Sequence, residues 1–130
     1  MVDPNTHLEI DGNLCGEVTE LEEGKATITL VTRKIMCADG KGLVHGGFVF
    51  GAVDYAAMLA VNDPNVVLGS AEVRFVAPVK VGETVVAVAT VAESRGKKRV
   101  LDVFASVGDR KVVSGTMTAF VLEDHVLEAR

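Results

Sequence analysis

Ala26-Thr27-Ile28-Thr29-Leu30-Val31-Thr32 alternates apolar residues with threonine, the period of a strand with one face in a core. A strand over residues 14–21 is predicted before it, and Glu22-Glu23-Gly24-Lys25 reads as the turn that joins the two into a hairpin. Strands are predicted again over residues 66–76, 84–94, 100–107 and 112–122, separated by Ala77-Pro78, Arg95-Gly96-Lys97-Lys98 and Gly108-Asp109-Arg110-Lys111. Between the second and third strands the period changes. From Gly46 to Asn62 the chain is apolar for about five helical turns, and Asp63-Pro64-Asn65 stops it, because a proline disfavours helix in the residue before it. The order is two strands, one long helix and four strands. This predicts an α+β domain in which an antiparallel sheet of about six strands wraps the helix. A curled sheet buries a helix on most sides, which accounts for a helix with almost no polar face.

Residues 1–13 are polar and turn-rich and are expected to be loosely ordered. Residues 35–44 form a loop containing Asp39-Gly40-Lys41-Gly42, flexible enough to shape itself around a ligand. At 130 residues, with no repeat and no linker, the chain is expected to form a single domain over residues 1–130.

One carboxylate, Asp54, interrupts the apolar helix. A buried carboxylate is costly unless it is paired, hydrogen-bonded or protonated. Asp54 is therefore either capped by buried donors, or exposed at a subunit contact, or a working group. As a working group it is a general base that activates water or a nucleophile. The helix begins with Gly46-Gly47, where the first backbone N–H groups lack partners and the dipole favours negative charge. Two glycines there let a carbonyl oxygen approach without a Cβ in the way, as in an oxyanion hole, or else they only permit close packing. Gly46 and Asp54 are eight residues apart, ~12 Å along a helix axis. A reacting carbonyl must lie within ~3 Å of its donors and no more than a water from the base, so one helix cannot supply both. Two antiparallel helices can. The spacing predicts a site shared across a two-fold interface.

Composition narrows the partners. A hydrophobic fraction of 48% is high enough that part of the apolar surface is expected to be buried against another copy. A net charge of −5 argues against a nucleic-acid surface, which needs a basic footprint. The N-terminus lacks a signal peptide's apolar core, and the helix falls short of the ~20 apolar residues of a membrane span. Cys15 and Cys37 stand alone, without metal or disulfide spacing, so a cytoplasmic location is expected, with no membrane partner and no metal.

The order of elements and His45-Gly46-Gly47-x₆-Asp54 resemble the hotdog-fold acyl-CoA thioesterases of the PaaI-like, THEM-type branch, which carry His-Gly-Gly at the start of the central helix and an Asp nine residues after the His. Pro78-x₃-Gly82-Glu83 is similar to that family's turn between strands, and the likeness covers residues 14–122. Two positions depart from it. Asp39 stands where the branch has an Asn six residues before the His, and the strand serine of the branch aligns near Leu68, two residues from Ser70.

The resemblance implies a homodimer or dimer of dimers that hydrolyses an acyl-CoA thioester with water as second substrate and no cofactor. Asp54 would be base or nucleophile, and Gly46 with Gly47 of the other subunit would polarise the carbonyl. His45 would orient the loop or assist the leaving thiolate. Asp39 and Ser70 are candidate supporting polar groups, Asp39 being equally a plain turn residue. Arg95, Lys97 and Lys98, with Arg99, form the basic cluster that in such a family helps hold the phosphates of coenzyme A; otherwise it is a solvated turn. A non-catalytic acyl-CoA sensor is the alternative from another class, although no DNA-binding segment is evident. An enoyl-thioester hydratase would need an Asp/His pair in another arrangement.

Overall fold

The alternating threonines of residues 26–32 do form a strand with one dry face. In the computed structural model, which describes residues 1–128, Ala26, Ile28 and Leu30 are fully buried along β2 (Lys25–Val31), while Thr27 and Thr29 turn the other way. The other elements are α1 (Gly12–Cys15), β1 (Glu17–Glu22), a single 3-10 turn (Lys34–Met36), α2 (Gly46–Val61), β3 (Val66–Phe75), β4 (Thr84–Arg95), β5 (Lys98–Val107) and β6 (Arg110–Val121). All six strands are antiparallel and form one sheet in the order β1-β2-β4-β5-β6-β3. The predicted architecture of one sheet curled around one helix is the observed one.

The strand predicted over residues 14–21 is corrected at its start. Asp11 caps a single helical turn, its carboxylate accepting from the Asn13 N–H at 2.8 Å, so Leu14 is helical and β1 begins only at Glu17. Gly16 ends that turn at φ +98, where a Cβ would press on Ile28 of β2. Capping chemistry outweighed the weak alternation of Leu14, Gly16 and Val18.

Helix α2 lies mainly on β2 and β4, with Val53, Ala56, Ala57, Met58 and Leu59 fully buried. Truncating Leu59 to alanine would cost about 2–5 kcal/mol by the usual penalty for a core cavity. The helix ends at Asn62, which takes the left-handed conformation and donates its N–H to the Met58 carbonyl at 2.8 Å. The Asn62 side chain then ties down the N-terminal segment, accepting from the Asn5 N–H at 2.7 Å and donating to the Asp3 carbonyl at 2.9 Å. Val2 adds an N–H to the Leu21 carbonyl, and Thr6 is buried. Residues 1–13, expected to be loose, are instead strapped across the end of the helix.

Strand β3 is an edge of the sheet, and most of its residues are exposed; Phe75, at its end, is 55% accessible. Its register against β6 slips between Leu68 and Ser70, leaving Gly69 as the extra residue of a bulge. An exposed edge with unpaired backbone groups is a template for a second strand.

Candidate active site

His45 is the N-cap of α2, with extended backbone angles and no side-chain hydrogen bond to the first turn. Its imidazole lies instead over Gly47, 3.2 Å from where a Cβ would sit there, and edge-on to Phe48 at 6.2 Å. The first-turn N–H groups therefore keep their uncapped dipole end. Gly46 opens onto an apolar cavity of about 350 Å³ that Leu43, Val49, Phe75 and Val112 help to line. A second cavity of about 540 Å³ shares Leu43, Pro78 and Val79 with the first and adds Asp39, Lys41, Lys80 and Arg110. An uncapped helix start beside an apolar pocket with a charged outer rim suits a carbonyl attached to an apolar group on one side and a polar carrier on the other.

Asp54 sits on the one face of α2 that the sheet leaves partly open, together with Gly47, Phe50, Gly51 and Val61. At 100° per residue these positions fall within one stripe. Its Oδ1 is buried and has no hydrogen-bond partner. That observation removes the reading in which buried donors cap the carboxylate. Burial pushes the Asp54 carboxyl above its ordinary range, and the charge of His7 pulls it partly back. Both His7 and Cys15 lie within electrostatic reach of it, His7 held low by burial and Cys15 raised by burial and by the neighbouring Asp11 and Asp54 charges. Asp54 and Gly46 share one helix, eight residues and ~12 Å apart, so the chain by itself does not bring base and oxyanion donors together.

The remaining predicted residues separate into places. Asp39 is exposed and accepts the N–H groups of Lys41 (2.8 Å) and Leu43 (3.3 Å), the work of a turn residue, at the rim of the second cavity. Ser70 pairs with Thr118 beyond the bulge, whereas Leu68 and Ala71 pair with the buried Ala119 and Met117. The bulge thus turns Ser70 to the face away from α2, and the structure does not bring it to Asp54. Arg95, Lys97 and Lys98 form the exposed β4–β5 turn, with Arg95 paired to Glu93 at 3.4 Å and Lys97 to Glu123 at 3.9 Å. That turn lies near Phe120 and Val67, at the sheet end close to the C-terminus of α2 and away from Gly46. His7 and Cys15 are the neighbours of Asp54 that sequence reasoning missed. No local pattern marks them, because they reach the helix only through the strapped N-terminal segment and α1.

Residues 55–125, more than half of the chain, match the family described as fluoroacetyl-CoA-specific thioesterase, FlK. The chain belongs to the FlK family. The match begins one residue after Asp54, so His45, Gly46, Gly47 and Asp54 stand outside it. The fold of this FlK-family chain is the hotdog fold. It superposes on an uncharacterised protein, PH1136 of Pyrococcus horikoshii, with a TM-score of 0.96, 49% identity and 98% of each chain covered. The PaaI protein of the phenylacetic acid degradation operon of E. coli shares the fold with a TM-score of 0.78 at 23% identity, over 86% of this chain and 83% of that one. Among relatives, a methylthioribose-1-phosphate isomerase of Aquifex aeolicus is 48% identical over 123 residues, 94% of this chain and 27% of that protein. The transcription factor FapR of Caldanaerobacter subterraneus is 28% identical over 93% of this chain and 61% of its own length. The chain thus spans about a quarter to three fifths of these relatives. No helix among the described residues is long and apolar enough to cross a membrane.

Proposed function

We propose that this FlK-family domain is an acyl-CoA thioesterase whose site is shared by two antiparallel copies. The observation that carries the proposal is Asp54: a carboxylate with an unpartnered, buried oxygen on a face of α2 that the sheet leaves partly open. In a two-fold pair that sets Asp54 of one copy against Gly46 of the other, the axis passes midway between them along α2, beside Phe50 and Gly51. The exposed edge of β3 and the accessible Phe75 support continuation of the sheet into the second copy.

The chemistry then divides between the chains. The Gly46 and Gly47 N–H groups of one copy hold the thioester oxygen as it gains charge, with the acyl group in the adjacent apolar cavity. Asp54 of the other takes a proton from the attacking water as the C–S bond breaks, or attacks the carbonyl carbon itself, displacing the thiolate to leave an acyl–Asp54 anhydride that water then hydrolyses to the free acid. The coenzyme A thiolate leaves with a proton, whose supply this reading gives to His45 at the helix start. Water is the second substrate, and no cofactor or metal takes part. Because the Arg95-to-Lys98 turn lies near the C-terminus of α2, an antiparallel pairing brings that turn of one copy towards the helix start of the other. In this reading Arg95, Lys97 and Lys98 meet the phosphates of coenzyme A.

The match to a transcription factor over 93% of the chain favours a second reading, in which the same site binds the thioester without turning it over. Thiol release from a panel of acyl-CoAs, repeated with Asp54→Asn, separates the two. Turnover that falls by about 10²-fold or more in the variant fits a general base. Tight binding without turnover fits the sensor, and turnover indifferent to Asp54→Asn rules out the assigned mechanism.

A further inference from the structure

We propose that the cavity beside Gly46 selects an unsubstituted hydrocarbon acyl group of about six to ten carbons, and that Phe75 is the residue that sets its length. This rests on the reading of Gly46 as the place of a thioester carbonyl, and it names the substrate class of that same site. Among the described residues, every side chain around this cavity of about 350 Å³ is apolar, from Leu43 and Val44 before α2 to Val49, Val76 and Val112. Backbone groups of the wall are engaged as well. The Val44 N–H donates to the Val79 carbonyl and the Val76 N–H to the Val112 carbonyl, each at 2.8 Å. A hydroxyl or carboxylate carried in on the acyl group would lose its water and find no partner. A methylene chain buries apolar area there at no such cost. A dry apolar cavity of ~150 Å³ already holds a six-carbon ring. This cavity is larger, and an acetyl group would leave most of it empty.

Phe75 walls the cavity against the helix start. On β3 it pairs with Val113, a buried residue of β6, which puts its side chain on the α2 side of the sheet. The edge of its ring lies 3.5 Å from where a Cβ on Gly46 would sit. A phenylalanine on that side would ordinarily be covered, yet this one stays more than half accessible, beside a helix that begins only at Gly46. Leu43 and Val76 are also exposed and line the same cavity. Three large apolar side chains held open around one cavity mark a binding groove. Gly46 decides its occupant, because the same cavity meets the uncapped N–H groups that hold a carbonyl oxygen. Lys41, Lys80 and Arg110 line the adjoining cavity instead, so the apolar and polar halves of a thioester have separate places. Pairing of the β3 edge with a second copy runs through backbone groups and leaves the ring over the cavity.

The test is a series of saturated acyl-CoAs from acetyl- to dodecanoyl-CoA, with adipoyl-CoA as the hexanoyl analogue that ends in a carboxylate. In wild type, kcat/KM for thiol release should rise about fourfold per methylene, the ~0.8 kcal/mol of a buried CH₂. The rise should stop at about six to ten carbons, and hexanoyl-CoA should be preferred to adipoyl-CoA by about tenfold or more. Phe75→Ala should carry the limit to longer chains and Phe75→Trp to shorter ones. Phe104→Ala, which removes an exposed aromatic from the opposite face of the sheet, should leave it in place. A flat series overturns the proposal, and so does adipoyl-CoA at parity with hexanoyl-CoA, which would put the acyl end among Lys41 and Lys80. A limit unmoved in both Phe75 variants also overturns it; a changed oligomeric state by light scattering would then assign the ring to the contact between copies. If wild type releases no thiol, the series is read as affinity by calorimetry. The same length dependence there supports the acyl cavity and counts against the thioesterase reading alone.

Discussion

Gly51 lies just under one turn before Asp54 on the same open face of α2, and a Cβ placed on it would meet nothing within 4 Å. Within one chain, then, Gly51 has no packing reason to be glycine, and glycine inside a helix costs up to about 1 kcal/mol relative to alanine. In the proposed pair it sits beside the two-fold axis, where a small residue allows two helices to approach.

Gly51→Leu should therefore leave a folded chain with its secondary structure intact while abolishing both dimer and turnover. Light scattering and thiol-release assays check the two halves of that statement. A fully active, dimeric Gly51→Leu protein would remove the helix-to-helix pairing.

Asp54→Ala should stabilise the fold even as it stops the chemistry. It deletes a buried oxygen with no partner, worth about 1–2 kcal/mol on the usual scale for unsatisfied polar groups. The pH dependence follows from the sign of the shift. Burial raises the Asp54 carboxyl, so the fold prefers its protonated form; stability is full below the ordinary carboxylate range and falls as pH rises towards the raised value. The advantage of Asp54→Asn over wild type in melting temperature should thus grow as pH rises from the ordinary carboxylate range through the raised value of Asp54. Glu83, held low by the Lys80 N–H and then by Arg110, acts in the opposite sense, losing its contribution as pH falls, and cancels in that comparison.

Thr32→Val tests the turn that floors the second cavity. Thr32 is buried, its hydroxyl donating to the Glu83 carbonyl at 2.6 Å and accepting from the Gly82 N–H at 3.0 Å. Valine keeps the shape but strands the Gly82 N–H, while the Glu83 carbonyl still accepts the backbone N–H of residue 32 at 3.1 Å, so unfolding in urea should show a loss of about 1–2 kcal/mol. Thr32→Ser should recover most of it.

Gly115→Ala tests how β3 is held at the edge. A Cβ at Gly115 would run into the Glu72 carbonyl oxygen and come within 2.7 Å of the Val73 Cα, both on the backbone of β3. The strand must move, at a cost of about 1–3 kcal/mol by the usual penalty for overpacking. Faster amide exchange confined to β3 and β6 would locate the damage.

How far the sequence was legible varied with the range of the interaction that decided each element. Threonines at every second position of β2, and the long apolar stretch of α2 ended by Asp63-Pro64, are local signals, and both elements lie where the pattern put them. Leu14 was misplaced because the Asp11 cap competes with strand alternation over the same few residues. Ser70 could not be assigned a face, since the bulge at Gly69 exchanges the two faces of β3 and rests on its pairing with β6. In the candidate site, His45, Gly46, Gly47 and Asp54 were readable as a spacing. His7 was not: it meets Tyr55 across nearly fifty residues of chain, by way of a strap fastened to the cap of α2.

The eight residues between Gly46 and Asp54 carry a genetic consequence. If each site takes its carboxylate from one copy and its amides from the other, a Gly46→Val chain and an Asp54→Asn chain are each inactive alone. Mixed by unfolding and refolding together, they form heterodimers in which one site holds both lesions and the other holds none. Random pairing then returns about a quarter of the wild-type activity. Two dead alleles would complement in the test tube, as lesions confined to one chain's own site could not.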